Sequence, residues 1–552
     1  MTDKPSPESA RERASDRPRS GVFARFLDGV EWLGNLLPHP VTLFALFAVG
    51  VVLASWAAAT FGLEVADPRP EGAKGRSADG VIRAVSLLDG DGLKWIAANV
   101  VKNFTGFAPL GTVLVALLGV GVAEKSGLLS AVIRALVLSA PSRLVTAVVV
   151  FAGVLSNTAS EMGYVVLIPL AAAVFHAIGR HPVAGLAAAF AGVSGGYSAN
   201  LLVGTVDPLL AGITTSAAQF IDPDYEVNAM ANWYFMFVST FMITVIGTWV
   251  TTVLVEPRLG RYDASAAAED LPREPTLDAL EPAERRGLKR AAMAFGLLLL
   301  GLIWIWGPRW IVGLGLPLDQ LPLYGLFGIP EGGTLRDAAL LKSVVAGIFV
   351  TFVVPGVVYG RTVGSMRSDR DVIDAMAEAM STMGLYIVLV FFAAQFVAFF
   401  GHSNLGAILA VLGADLLVTI GLDNALVFLP FILMCCFVNL MLGSASAQWA
   451  VTAPIFVPML MGVGFSPEVI QAAYRIGDSS TNTITPMMSY FGLILAFVVR
   501  YDRRIGIGTL VATMLPYSIA FLTAWTILFY LWVFLFGLPV GPGSPTLYPA
   551  GG

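Results

Sequence analysis

Long apolar segments dominate this chain of 552 residues and constrain its fold more than any other feature. A helix needs about 20 predominantly apolar residues to cross a bilayer. Charged residues make up only 13% of the chain, well below their usual share in soluble globular proteins. We therefore expect an all-α polytopic membrane protein in contact with the lipid bilayer. The segments that reach or approach spanning length are 41–63, 232–255, 291–307, 338–358 and 509–537.

Shorter apolar segments follow one another in two runs, one in each half of the chain. Examples are 144–155 and 165–178 in the first half, and 425–442 and 450–464 in the second. Many of them are too short to cross the hydrocarbon core in a straight line. We expect such pieces to be half-crossing or re-entrant segments.

Basic residues indicate which loops face the cytoplasm, because positively charged loops tend to stay inside. They are concentrated before the first span, between the central spans and beside the last span. We expect a cytoplasmic N-terminal tail at 1–38, a cytoplasmic connector at 257–290 and a periplasmic C-terminal tail at 539–552. The connector separates two transmembrane repeats, 39–256 and 291–538. Termini on opposite sides require an odd number of crossings.

Two pairs of polar motifs indicate an internal duplication. The first half contains "SNTASEMGYVVLIP" and then "GVSGGYSANLLVGTVDP", and the second half contains "GSASAQWAVTAPIFVP" and then "RIGDSSTNTITP". An alignment that sets Asn200 against Asn482 also sets Ser198 against Ser480. Interrupted segments in corresponding positions of two halves are the best sequence indication of a transporter's binding site.

Glycine and hydroxyl residues in the second motif of each half favour unwound backbone, because hydroxyl side chains compete for backbone partners. Unwound backbone is stable at membrane depth only inside protein or along a wet cavity. A helix broken there exposes N–H groups that can hold an anion and carbonyls that can hold a cation. We expect two breaks at mid-membrane and no cofactor other than Na⁺. The side chains expected beside a coupling ion include Asn157, Asn200, Ser480 and Asn482.

Three charged residues lie in or beside these predicted breaks. Arg475 and Asp478 are three positions apart, so on a helix they share one face. They could form a structural ion pair, or the guanidinium could bind a substrate carboxylate while the aspartate binds a proton or ion. Asp207 could cap the segment that follows it or take part in ion coupling.

Four further residues are candidates for the site or for its support. Asn439 could join two helices or line the site. Trp449 could anchor the chain at the membrane interface or form a wall for an aromatic solute. Pro467 and Pro486 are expected at helix starts, where proline is favoured.

Other function classes have little support in the sequence. A net charge of −5 does not suggest nucleic acid as a partner. The adjacent cysteines, Cys435 and Cys436, are expected to be packing residues. An intramembrane aspartyl protease would use two aspartates such as Asp207 and Asp478, but "RIGDSS" lacks the Gly-x-Gly-Asp pattern of such enzymes. A passive channel would need an acidic ring or a repeated filter sequence, and neither is found.

The chain resembles the p-aminobenzoyl-glutamate transporter (AbgT) family along nearly its whole length. The resemblance is carried by "SNTASEMGYVVLIPLAAAVF", "GGYSANLLVGTVDPLLAGIT", "NLMLGSASAQWAVTAPIFVPMLM" and "YRIGDSSTNTITPMMSYFG". It implies a homodimeric secondary transporter of the bacterial inner membrane. It also implies about nine transmembrane helices, inverted repeats and two re-entrant helical hairpins, which we place near 144–177 and 424–464. The fold would be similar to that of the divalent anion–sodium symporters.

The resemblance also implies a function and a set of substrate-binding residues. Members are associated with uptake of p-aminobenzoyl-glutamate and with export of p-aminobenzoate and sulfonamide antimetabolites. We expect an arylamine or carboxylate substrate and a proton or sodium gradient as the driving force. The direction and the ion stay open, and a dicarboxylate-type sodium symporter is the alternative. The residues implied are Asp207, Asn439, Ser446, Trp449, Pro467, Arg475, Asp478 and Pro486.

Overall fold

The structure is a computed structural model that describes residues 38–548 except 70, 73, 75, 160–162, 269–278 and 308–320. The predicted N-terminal tail therefore lies almost wholly outside the described residues. Helices dominate the described part of the chain, which contains one small sheet in which β1 (Glu64–Ala66) pairs antiparallel with β2 (Val81–Arg83). The predicted all-α class is confirmed.

The first half of the chain, up to the connector, forms ten helices in its described residues. They are α1 (Pro40–Thr60), α2 (Gly90–Thr105), α3 (Ala108–Lys125), α4 (Leu128–Leu138), α5 (Val145–Ser156), α6 (Ile168–Ala177), α7 (Pro182–Phe190), α8 (Val206–Ala218), α9 (Trp233–Trp249) and α10 (Glu256–Leu259).

The second half forms eleven helices in its described residues. They are α11 (Pro282–Trp306), α12 (Ala339–Lys342), α13 (Val344–Val363), α14 (Asp369–Ser381), α15 (Gly384–His402), α16 (Leu405–Thr419), α17 (Phe428–Leu442), α18 (Ala445–Gly462), α19 (Pro467–Asn482), α20 (Phe491–Tyr501) and α21 (Ile507–Phe529).

Eight helical segments in the described ranges are long and apolar enough to cross a membrane. Six shorter apolar helices accompany them. This pattern confirms a polytopic membrane protein, while the count of nine crossings stays a prediction. One boundary differs clearly from expectation, because α11 begins at Pro282 and not near 291. Glu281 and Glu284 form a capping box there, so the end of the predicted connector is helical.

Pairs of consecutive helices lie where the hairpins were predicted. In the first half α5 ends at Ser156 and α6 follows a π-helical turn, Gly163–Leu167. In the second half α17 and α18 are joined at Gly443 and Ser444, where Gly443 has a φ of 56°. A Cβ atom on Gly443 would lie 2.9 Å from the backbone of Met487, so only glycine fits this tip. Re-entry of these hairpins into the membrane stays a prediction.

Helix α19 lies at the centre of the second half, and every one of its residues is buried. It packs against α17, α18, α21 and α8. Ser466 caps its N-terminus by accepting a hydrogen bond from the Val469 N–H. Buried polar residues on a central helix need partners inside the protein, and these partners form the candidate site.

The C-terminal segment, residues 539–548, packs against the N-terminal ends of α9 and α19. The Ser466 hydroxyl donates to the Pro545 carbonyl at 2.6 Å, and the Ser544 hydroxyl donates to the Ala231 carbonyl at 2.8 Å. The Val540 carbonyl accepts a hydrogen bond from the Phe235 N–H at 3.0 Å. The segment predicted as a tail therefore holds the start of α19 against the start of α9.

Candidate functional site

The first predicted break is present between α7 and α8. Helix α7 passes into a π-helical turn, Ala191–Gly195, and the backbone then stays non-helical until Val206. Glycine is required in this segment by close packing. A Cβ atom on Gly195 would lie 2.6 Å from the ring of Phe521, and one on Gly196 would lie 2.6 Å from the side chain of Val154.

The second predicted break lies later than expected. Helix α19 continues without interruption to Asn482, so Arg475, Asp478 and Ser480 lie on regular helix. The prediction of unwound backbone at these three residues was wrong. The hydroxyls did not unwind the backbone, because they bond back along their own helix. Ser480 donates to the Ile476 carbonyl at 2.6 Å. The chain leaves helical geometry only between residues 483 and 490.

Gly477 serves helix packing and not unwinding. A Cβ atom at this position would lie 2.6 Å from the Cβ of Cys435 and 2.7 Å from the Ile432 carbonyl oxygen. Glycine therefore lets α19 approach α17 closely. Cys435 and Cys436 are buried and unpaired with each other, as expected for packing residues.

Arg475 forms its ion pair with Asp207 and not with Asp478. Its Nη2 atom lies 2.5 Å from Asp207 Oδ1, and the two side chains are 1% and 9% exposed. Asp207 Oδ2 accepts a hydrogen bond from the Gly204 N–H at 2.7 Å. The predicted pair within α19 was wrong, because the guanidinium reaches across to the other half of the chain. Asp207 thus accepts a hydrogen bond from the loop that precedes α8 and neutralises the charge of Arg475.

Asp478 keeps one carboxylate oxygen without a partner among the described residues. Its Oδ2 atom has no hydrogen bond there, and its Oδ1 atom lies 3.5 Å from the Tyr474 hydroxyl. That hydroxyl also donates to the Ala445 carbonyl at 2.6 Å, which is the much shorter contact. An unpaired carboxylate that is 1% exposed is costly unless a proton, a cation or a substrate group meets it.

Asn157 and Asn439 play corresponding roles in the two halves. The Asn157 side chain donates to the Val193 carbonyl at 2.9 Å in the first break. The Asn439 side chain donates to the Asp478 carbonyl and to Asn482 Oδ1, each at 2.8 Å. Asn439 thus joins α17 to α19, and its role in lining the site stays a prediction.

The polar segments of the two halves meet. The Ser198 N–H donates to Ser479 Oγ at 3.1 Å, which links the first break to α19. Within the first half, Thr158 donates to Asn200 Oδ1 at 3.2 Å. Ser479, which was not among the predicted site residues, contacts the first break, whereas the Ser480 hydroxyl is bonded to its own helix.

Trp449 is buried completely, so it is not an anchor at the membrane interface. Its ring stacks on Tyr474 with 4.2 Å between the ring centroids, and its indole N–H donates to Thr214 Oγ1 at 2.9 Å. Ser446 lies nearby at the hairpin tip, 3.4 Å from Ser444 between the hydroxyl oxygens. In this conformation, Trp449 supports the helix that carries Arg475 and Asp478.

Three residues that the sequence did not indicate extend this contact. Thr214 donates to Gln471 Oε1 at 2.5 Å, and Gln471 donates to Asn232 Oδ1 at 2.7 Å. Asn232 donates in turn to the Glu468 carbonyl at 2.8 Å. In the sequence these residues are visible only as isolated polar residues in or beside apolar segments. Their partners could not be predicted, because they are distant in sequence.

The two prolines have different positions. Pro467 is the first residue of α19, as predicted. Pro486 lies in the non-helical segment after α19, four residues before the N-cap of α20, so its predicted place at a helix start was wrong. Its ring has no N–H to donate, which suits a segment that cannot continue the helix.

Several buried oxygen atoms in the described part of the chain lack a hydrogen-bond donor. A donor set of neutral and anionic oxygens suits a hard cation better than a transition metal. The donor types present therefore suit a hard cation such as Na⁺, and Na⁺ binding at the two polar segments stays a prediction. The atoms are Asn157 Oδ1, Ser198 Oγ, Asn439 Oδ1, Gln448 Oε1, Asp478 Oδ2 and Thr483 Oγ1.

Comparisons with known proteins show similarity along nearly the whole chain. The sequence profile of the AbgT putative transporter family matches residues 25–548. The p-aminobenzoyl-glutamate transport protein of Escherichia coli K12 is 36% identical over 536 residues, which cover 97% of this chain and 99% of that protein.

Two solved structures are also similar. MtrF of Neisseria gonorrhoeae, described as one of a class of antimetabolite efflux pumps, is 59% identical with a TM-score of 0.86. It covers 94% of this chain, and the match spans 100% of that chain. The YdaH transporter of Alcanivorax borkumensis is 43% identical with a TM-score of 0.81, covering 92% of this chain and 100% of its own.

Proposed function

Since the chain belongs to the AbgT family of membrane transporters, we propose that it carries aromatic amides and amines of the p-aminobenzoyl-glutamate type, together with sulfonamide antimetabolites. Two relatives support this proposal, because one is a p-aminobenzoyl-glutamate transport protein and another is described as one of a class of antimetabolite efflux pumps. The chain is a transporter and not an enzyme.

In this proposal Arg475 binds the anionic group of the substrate. Guanidinium groups bind carboxylates with two parallel hydrogen bonds. Arg475 Nε has no partner among the described residues, and Nη2 is held by Asp207. A substrate carboxylate or sulfonamide would use the unpartnered Nε and compete with Asp207 for Nη2. Exchange of one anion for another at a buried cation avoids leaving that charge unpaired.

Asp478 carries the coupling cation in this proposal. The observation that supports it is the buried Oδ2 atom without a partner, one helical turn from Arg475. A carboxylate in such a place can bind a proton, or it can bind Na⁺ with nearby amide and hydroxyl oxygens. Alternating access would then tie movement of this cation to movement of the substrate.

Flux into proteoliposomes tests the coupling role. We expect Asp478→Asn to abolish accumulation driven by a gradient and to keep binding of p-aminobenzoyl-glutamate, measured by calorimetry. Asp415→Asn is the matched control, because Asp415 is an exposed acid on α16, and it should transport normally. Sodium and pH gradients imposed separately identify the ion. Normal accumulation by Asp478→Asn would show that this carboxylate is not the coupling group.

We propose further that the protein is a homodimer in the bacterial inner membrane, with a cytoplasmic N-terminus and a periplasmic C-terminus. The positive charge before the first span and the uncharged C-terminal segment support this orientation. Labelling of single cysteines at each end with a membrane-impermeant reagent tests it. Label at the N-terminal cysteine of intact spheroplasts would contradict the proposal.

A further inference from the structure

An apolar groove of about 1140 Å³ lies between α4, α11 and α13. Its fourth side is formed by Leu201, Leu202 and Val203 of the first break and by Trp233. Helix α11 is the least covered of the eight candidate spans, with only 6% of its most apolar window buried in the protein. The groove therefore runs along a helix face that the other described residues leave open.

The lining of the groove does not suit the proposed substrate. Among the described residues that line it, none is charged, and Ser139, Ser343 and Thr351 are the residues with a hydroxyl or amide side chain. A solute with carboxylates would lose its hydration there without gaining partners. The volume also exceeds the roughly 300–1,000 Å³ of ordinary small-molecule sites. The occupant is expected to be hydrocarbon.

The length of the groove and the residues at its ends indicate a lipid. Its lining on α11 extends from Leu288 to Trp306, which is about 27 Å along a helix and close to the roughly 30 Å of the hydrocarbon core. Trp306, the last residue of α11, and Trp233, the first residue of α9, both line the groove, and tryptophan is enriched at the membrane interface.

The other end of the groove is basic. Arg285 and Lys289 are exposed, and each precedes a lining residue of α11 by three positions, which places it on the same helix face. Neither side chain has a hydrogen bond or ion pair with another described residue. Arg134 of α4 pairs with Glu284 of α11 beside them. Basic residues at the end of a gap between transmembrane helices attract anionic headgroups.

From this arrangement we propose that the groove is a binding site for an anionic phospholipid. The acyl chains lie between α4, α11 and α13, and the headgroup lies at Arg285 and Lys289. The chains contact Leu201–Val203, whose backbone is tied to the Trp233 indole by a hydrogen bond of 2.9 Å to the Leu201 carbonyl. The lipid thereby supports the loop that leads to Gly204 and Asp207.

Glycines on the groove helices allow a matched test. A side chain at Gly301 on α11 or Gly347 on α13 would enter the groove, and a Cβ atom at either position meets nothing within 4 Å. Gly296 on α11 has equally open space but does not line the groove; it lies about 140° around the helix from Gly301.

Native mass spectrometry of the delipidated full-length protein, with phosphatidylglycerol added, measures the binding. We expect wild type and Gly296→Phe to retain the lipid, and Gly301→Phe and Gly347→Phe to lose it. Phosphatidylcholine with the same chains should bind more weakly than phosphatidylglycerol. Arg285→Gln and Lys289→Gln should each weaken phosphatidylglycerol binding about five-fold. Arg286→Gln is the control, because Arg286 bonds to the Pro282 carbonyl of its own helix.

Three results would overturn the proposal. Equal retention of lipid by Gly301→Phe and Gly296→Phe would place the lipid elsewhere, and equal binding of the two phospholipids would exclude the headgroup site. A wild-type dimer without lipid that Gly301→Phe converts to a monomer would show that a second copy fills the groove. The lipid readout does not depend on transport, so the proposed function can fail while this proposal stands.

Discussion

Arg475 and Asp207 form a buried pair between parts of the chain that are distant in sequence. Removal of one partner leaves a buried charge without compensation, which typically costs about 3–5 kcal/mol. Arg475 also keeps an Nε atom without a partner in the described structure. The Arg475 guanidinium is therefore only partly satisfied by hydrogen bonds, which supports the proposed binding of a substrate anion at this residue.

We expect Asp207→Asn to lower stability strongly and the double variant Asp207→Asn with Arg475→Gln to recover part of the loss. The reason is that the double variant removes both charges, whereas the single variant leaves the guanidinium unpaired. Thermal unfolding followed by size-exclusion chromatography in detergent measures both. A double variant less stable than Asp207→Asn would show that the guanidinium has another buried partner.

At the scale of elements, the packing of α19 against α17 depends on Gly477. A methyl group there would meet the Cβ of Cys435 and the Ile432 carbonyl at 2.6 and 2.7 Å. Overpacking of this kind costs about 1–3 kcal/mol. The same approach brings Asn439 within hydrogen-bonding distance of the Asp478 carbonyl, so the close contact also positions the site.

Gly477→Ala should therefore lower thermal stability and reduce substrate affinity, since α19 must shift away from Asn439. Gly492→Ala on α20 is the matched control, because a Cβ atom there meets nothing within 4 Å. Alanine is the better helix former, so this control should keep or slightly raise stability. Equal unfolding temperatures for the two variants would mean that α17 and α19 can separate without cost.

At the scale of the whole molecule, the C-terminal segment joins elements of both halves. It supplies partners for Ser466 before α19 and for Ala231 before α9. Deletion of residues 539–552 should lower the unfolding temperature and transport, because each lost hydrogen bond contributes about 1 kcal/mol.

Deletion of residues 549–552 alone is the control for this truncation, because it removes none of these hydrogen bonds. Fluorescence-detected size-exclusion chromatography after heating compares the two. A stable protein that ends at residue 538 would show that the start of α19 is held by other contacts.

Sequence alone determined the membrane class and the two polar segments. These features are local, because hydropathy depends on neighbouring residues and the duplicated motifs can be read directly from the amino-acid sequence. The first break was also predictable, because Gly195 and Gly196 adjoin hydroxyl residues. The sequence also indicates Asn157, Asn439, Arg475 and Asp478, because each is a polar or charged residue in one of the four stretches that carry the family resemblance.

Only the tertiary structure decided the partner of Arg475, the continuity of α19 through Asp478 and the burial of Trp449. A guanidinium three positions from one carboxylate binds the carboxylate that packing brings closest, and that is Asp207 from the other half. A hydroxyl can unwind a helix or bond back along it, and the neighbours of α19 favour the second outcome. These choices depend on distances between residues far apart in the chain, which spacing along the sequence does not contain.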